Sequence, residues 1–229
     1  MAATALSCGS QEAPAPQSAA PTPTPRQLIE QCSREMTALD TVRFELVHEG
    51  DGSSQLFPGM VLTRVVGEVD MPDRFAVSAE AMSLFPRSFI GLDVAVSGDR
   101  ALMTDFLNPA EWNTLPVESL PFDFANLGGT LSDIILSMED PREVGEETVD
   151  GVPSRHIRGT AGSAALAALI PAAVEGYVLT MELWIGKERA LLRQVRIEGQ
   201  ILSTDQPDLV RVLTIRDFDQ PVNITLPQT

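Results

Sequence analysis

The chain has 229 residues and carries 32 Asp and Glu against 16 Lys and Arg, a net charge of -16. Such a charge repels a phosphate backbone, which excludes nucleic acid as the expected partner of the folded body. With 44% hydrophobic residues and no apolar run near the roughly 20 residues of a membrane-spanning helix, the composition is that of a globular body with one sizeable core.

The first stretch, ALSCGSQEAPAPQSAAPTPTP, places Cys8 after Ser7 and before Gly9 and Ser10. A short apolar segment, small residues and then a cysteine is the pattern of a bacterial lipid-anchor site, so residues 1–8 read as the remnant of a lipoprotein signal. The pattern is imperfect: Ala5 stands where leucine is usual, and no basic or long apolar region precedes it. Cys8 is therefore read either as the acylated anchor or as an unmodified thiol. Prolines at 14, 16, 21, 23 and 25 among Ala, Ser, Thr and Gln cannot bury a core and favour an extended chain. Residues 9–25 are expected to be a disordered tether that spans roughly 50 Å at ~3.1 Å per residue.

From Arg26 the pattern turns helical, with Leu28, Ile29, Cys32, Met36 and Leu39 three and four apart. Cys32 lies on that apolar stripe and reads as a small core residue; a bridge to Cys8 would staple a tail to a helix and is not expected. The period then becomes two. VRFELVHE puts Val42, Phe44, Leu46 and His48 on one face, and MVLTRVVGEVD does the same with Val61, Thr63, Val65, Gly67 and Val69. RFAVSAE, GLDVAVSG, RALMTDFL, GVPSRHIRGT, YVLTMELWIG, LLRQVRIEGQIL and DLVRVLTIRDF continue as strands joined by turn residues. GGTLSDIILSMED and the Ala-rich SAALAALIPAAVEG read as helices, and the acidic EDPREVGEE, residues 139–147, as a solvated turn.

About ten strands and three helices make an α+β fold: a strongly curved antiparallel sheet, a half-barrel, with a few helices capping its concave face. The concave face is expected to carry Phe44, Leu46, Val65, Phe75, Val77, Leu179, Met181, Leu183, Val195 and Ile197. These line either an apolar cavity or a dry core, and periodicity does not separate the two. The helix after Gly128 and the Ala-rich segment are candidates for a movable lid or for fixed caps.

Catalytic patterns are missing. His48 and His156 fall on different strands and read as satisfied strand residues, and no HExxH, CxxC, GxSxG or phosphate-loop motif occurs. No enzyme activity, cofactor or metal is expected. The sequon-like Asn223-Ile224-Thr225 is read as carrying no modification in a bacterium.

Three stretches read in order carry a resemblance: AVSGDRALMTDFLNPAEWNTLP, EETVDGVPSRHIRGT and LWIGKERALLRQVRIEG, followed by the closing VLTIRDFDQPVNITLP. Together with the cysteine and the Pro-rich spacer, they resemble the LppX/LprG family of actinobacterial cell-envelope lipoproteins over roughly residues 30–227. The resemblance implies a half-barrel similar to the LolA/LolB carriers, with residues 26–229 as a single lipid-binding domain. It further implies an acyl-chain lipid or glycolipid as ligand, carriage of that ligand within the envelope, and a membrane tie through Cys8. A membrane transporter is then a candidate partner, and the protein is expected to be an extracytoplasmic monomer. The reading from a different class is an envelope sensor or protein-interaction module on the same fold, like the RseB-type regulators, with no transport role.

Overall fold

The computed structural model describes residues 22–227 except 51, 58, 107 and 121, so Cys8 and most of the expected tether lie outside the described residues. Helix α1 spans Pro25–Thr37. Thr24 caps it: its hydroxyl accepts from the Gln27 amide while the Gln27 side chain accepts from the Thr24 amide, which satisfies two otherwise free donors. Residues 24 and 25, expected in the tether, thus belong to the folded helix. The Arg26 guanidinium donates to the carbonyls of Leu136 and Met138, and Arg155 donates to that of Pro23. The point where the chain enters the domain is therefore fixed.

Twelve strands follow: β1 Thr41–His48, β2 Ser54–Phe57, β3 Met60–Asp70, β4 Arg74–Leu84, β5 Arg87–Ser97, β6 Arg100–Thr104, β7 Trp112–Leu115, β8 Glu139–Val149, β9 Val152–Gly162, β10 Val178–Gly186, β11 Leu192–Glu198 and β12 Val210–Arg216. They form one curved, unclosed antiparallel sheet in the order β7-β6-β5-β4-β3-β1-β12-β11-β10-β9-β8, with β2 paired to β3 beyond the end of β1. Two meanders meet at the centre, where the first and last strands pair from Arg43↔Arg216 to His48↔Arg211. The chain leaves one edge at β7 and re-enters at the opposite edge as β8, so residues 116–138 must cross a face of the sheet. That crossing segment buries Leu120, Phe122, Phe124 and helix α2, Leu127–Leu136. The architecture is the α+β half-barrel that the alternating pattern predicts.

Three local readings are corrected. EDPREVGEE is most of strand β8, not a turn. As an edge strand with mostly exposed side chains it shows no apolar alternation, and an edge tolerates Pro141 because one row of amides has no ladder partner. The Ala-rich segment forms only a 3-10 turn at Ser163–Leu166 and then irregular turns. The run before Pro171 is too short to repay helix nucleation, and no side chain caps its start. In β3 the register shifts between Leu62 and Arg64. This bulge moves Leu62 to the buried face beside Val65, in place of the expected Val61 and Thr63.

The inner face is closed by α1, α2 and the crossing segment. Phe44 and Phe124 lie 4.6 Å apart by ring centroids and Phe122 and Phe124 4.9 Å apart, with Phe75 edge-on to both crossing phenylalanines. Gly67 makes room for them: a Cβ there would sit 2.7 Å from the Phe44 ring and from Val77. Helix packing is equally close, since Ser33 and Ser132 share a buried 2.7 Å hydrogen bond between α1 and α2. Cys32 is fully buried on α1. Burial pushes its thiol well above the ordinary value, with the Glu35 charge adding to the effect. Iodoacetamide at mildly alkaline pH is expected to leave Cys32 unlabelled until the protein is unfolded, as read by peptide mass mapping; labelling in the native state would contradict this burial.

Candidate functional site: an apolar cavity under an irregular loop

The strands share a common end that holds Met60, Leu84, Val178, Glu198 and Val210. Near this end the inner face is roofed by the loop Ser163–Tyr177, not by a helix. Both ends of the loop are tied at Ser163, which is fully buried. Its amide donates to the Tyr177 carbonyl at 2.9 Å, its hydroxyl donates to the Val174 carbonyl at 2.6 Å, and that hydroxyl accepts from the Tyr177 amide at 3.2 Å. The middle of the loop is tied to its surroundings by Asp123 donating to Leu169 and by Val174 donating to Ile201, and within itself by the Ala167, Leu169, Ile170 and Ala173 amides, which donate to Ala164, Leu166, Leu166 and Ile170.

Beneath the loop lies a cavity of about 70 Å³. Leu46, Leu62, Val65, Val195, Ile197 and Leu213 form its sheet wall. Leu131 and Ile134 of α2 and the two crossing phenylalanines form one side, and Leu166, Leu169 and Ile170 form the roof. A dry apolar cavity of roughly 150 Å³ is what holds one benzene, so an acyl chain enters only if the wall moves. Beyond the 3-10 turn at Ser163–Leu166 the loop is irregular, and it leaves Leu169 and Ile170 half-buried.

Of the ten residues expected to line a cavity, Leu46, Val65, Val195 and Ile197 do so. Phe44, Phe75, Val77, Leu179, Met181 and Leu183 sit in the packed core, each 3% exposed or less. The helices and the phenylalanine cluster cover that part of the sheet closely, so it is dry. Alternation along a strand reports which face is inner; it does not report what lies across from it.

The cavity has one polar lining residue, Arg211. It projects from the inner face of β12 in phase with Leu213 and Ile215 and is 5% exposed. Its Nε donates to Ser54 Oγ at 3.0 Å, Nη1 to the Gly199 carbonyl at 3.2 Å and Nη2 to Asp205 Oδ2. The same Asp205 oxygen accepts the amides of Ile201 and Leu202 at 2.9 and 2.8 Å. Burial pulls Arg211 below the ordinary guanidinium value, against the pull of the Asp205 charge. The pair pins the β11–β12 connection at the cavity end, and Ser54 Oγ also shares a 2.8 Å hydrogen bond with His48 Nε2. Burial likewise lowers the His48 pKa.

On the outer face His156 stacks on Trp184, with ring centroids 4.2 Å apart. Its ring nitrogens lie 3.0 Å from Glu147 and 2.7 Å from Glu182. Both histidines are thus held by neighbours within the sheet. Among the described residues no three His, Cys, Asp or Glu side chains gather to hold a metal, and no helix is long and apolar enough to cross a membrane.

LprF from Mycobacterium bovis superposes with a TM-score of 0.69 at 16% identity, covering 90% of this chain and 97% of that one. Mycobacterium tuberculosis LppX superposes at 0.61 with 18% identity, covering 88% and 98%. A LolA superfamily protein, NE2245 from Nitrosomonas europaea, matches more loosely, at a TM-score of 0.30 and 13% identity over 90% of this chain and 96% of that one. No curated protein matches the chain in sequence. The profile of the LppX_LprAFG lipoproteins matches residues 24–226, and the chain belongs to that family.

Proposed function

We propose that this chain is a membrane-tethered lipoprotein which shelters an acyl chain of a lipid or glycolipid under the Ser163–Tyr177 loop and carries it within the cell envelope. The observation that carries the reading is the apolar cavity roofed by the Ser163–Tyr177 loop over walls of strand, helix and the two crossing phenylalanines. Each methylene withdrawn from water contributes about 0.8 kcal/mol, so even a half-sheltered chain gains several kcal/mol, a gain that works against the cost of displacing the irregular part of the loop. No bond is made or broken. Release follows from the same balance when a bilayer offers the chain an equal refuge. In this reading Cys8 holds the protein, as a monomer, at the outer side of the cell membrane, and a membrane transporter is a partner that could supply the lipid.

The test is native mass spectrometry with lipid extraction on the full chain from its own organism, paired with uptake of a fluorescent fatty acid. A co-purifying lipid is expected. Leu46→Trp and Ile197→Trp, at half-buried wall positions, fill the cavity and should lower probe uptake about ten-fold or more while the melting temperature stays near that of the parent. Leu183 does not serve this purpose, because it is fully buried away from the cavity. A parent that is empty and takes up no probe overturns the carrier reading.

A further inference from the structure

The β4–β5 hairpin ends in the sequence Leu84-Phe85-Pro86-Arg87-Ser88-Phe89, and its apolar side chains point into solvent. Phe85 is 94% exposed, Phe89 84% and Leu84 46%. Aromatic side chains are rarely left so bare, and a contiguous exposed apolar patch marks a contact surface. The core does not need these residues. β6 pairs with β5 only from Val94 to Ser97, while β4 and β5 pair on to Leu84↔Arg87, so the hairpin tip projects past β6; on its other side β3 runs beside it to Met60↔Ser83.

Two further facts say what covers the tip. The first is charge. Asp and Glu make up 32 of 229 residues, about one in seven, yet residues 81–92 contain none and carry Arg87 at the turn. The acidic surface as a whole is repelled by an anionic bilayer, whereas this hairpin joins exposed aromatic side chains to a cation with no acid beside them in sequence, the composition of a segment that seats at a lipid headgroup boundary. The second is position. Leu62 lines the cavity and pairs with Ala81, three residues before Leu84, so the tip stands about 10 Å along the strand from the cavity wall at ~3.4 Å per residue. Val178, 76% exposed, lies at this same end of the sheet.

We infer that the β4–β5 hairpin tip is a bilayer-docking element, with Phe85 and Phe89 entering the headgroup boundary and Arg87 held at the phosphates. Docking by the hairpin tip turns the cavity end of the sheet toward the membrane. This goes beyond the carrier reading, since a tether at the chain start sets a distance from the membrane and no orientation.

The experiment is co-sedimentation of the full chain, made by cell-free synthesis so that no anchor is attached, with vesicles of phosphatidylcholine and a minority of phosphatidylglycerol. The parent is expected to bind. Phe85→Ser and Phe89→Ser should each weaken binding about ten-fold, the loss of one buried aromatic ring, and Arg87→Glu should weaken it further at low salt than at high salt. Uptake of the fluorescent fatty acid from solution, measured on the same variants, should equal the parent's because neither phenylalanine touches the cavity. Failure of uptake in every protein with vesicle binding intact would overturn the carrier reading and leave the docking element standing. A parent that does not sediment, phenylalanine variants that bind as well as the parent, or a dimer in sedimentation equilibrium that Phe85→Ser dissolves would each overturn the docking inference.

Discussion

Arg211→Met is expected to destabilise the fold by about 3–5 kcal/mol, the cost of leaving one member of a buried ion pair without its partner. The Asp205 side chain is fully buried, one of its oxygens has no hydrogen-bond partner among the described residues, and the other relies on Arg211 and on two amides. A domain of this size loses roughly 2–4 °C of melting temperature per kcal/mol, so the melt should fall by about 6–20 °C. Adding Asp205→Asn removes the stranded charge and keeps one oxygen for the Ile201 and Leu202 amides. The double variant should therefore recover more than half of the loss. Thermal melts followed by circular dichroism decide it: a single variant within two degrees or so of the parent, or a double variant lower than the single one, would mean the pair does not hold the β11–β12 connection.

Gly128→Ala is the second large effect. A Cβ at Gly128 would clash with the Met36 carbonyl oxygen and lie 3.0 Å from Met71 Sδ. The first of these is helix backbone and cannot yield, so α2 must shift off α1. Overpacking of this kind costs ~1–3 kcal/mol, and the Ser33–Ser132 hydrogen bond lost with it about 1 more. At Gly129 the obstacle is the Asn126 side chain, which can rotate away, and alanine there improves helix propensity by up to ~1 kcal/mol. Gly128→Ala should thus melt several degrees below Gly129→Ala; equal melting temperatures would sink the close-packing account. A glycine that looks like a hinge in the sequence is a contact point between two fixed helices.

The same distinction explains what the sequence disclosed. Strands such as β4 and β10 were legible because an apolar inner face and a polar outer face impose period two, and Phe75, Val77, Leu179, Met181 and Leu183 are all buried as that period requires. The β3 bulge was not legible, since one inserted residue reverses the phase and nothing in MVLTRVVGEVD marks the place. β8 was hidden because an edge strand with two wet faces has no period to read. The cavity was half legible: strand phase selects Leu46, Val65, Val195 and Ile197 together with six residues that turn out to be dry, because cover by helix or loop is decided by segments far away in sequence. Arg211 was the signal passed over. A charged residue in phase with Leu213 and Ile215 on an apolar strand must be paired inside, and it marks where the core gives way to a polar end.

The form of strand β8 bears on how such a protein survives in numbers. A long strand at the rim of an unclosed sheet invites a second chain to pair with it, most of all when a loosened roof bares apolar surface nearby. Here the rim resists. Pro141 has no amide to offer, two register shifts break the row of free groups, and Glu139, Asp140, Glu143, Glu146 and Glu147 would face the same charges on an identical neighbour. An identical copy brought against this rim therefore meets like charges and a broken ladder, which disfavours joining of the two sheets.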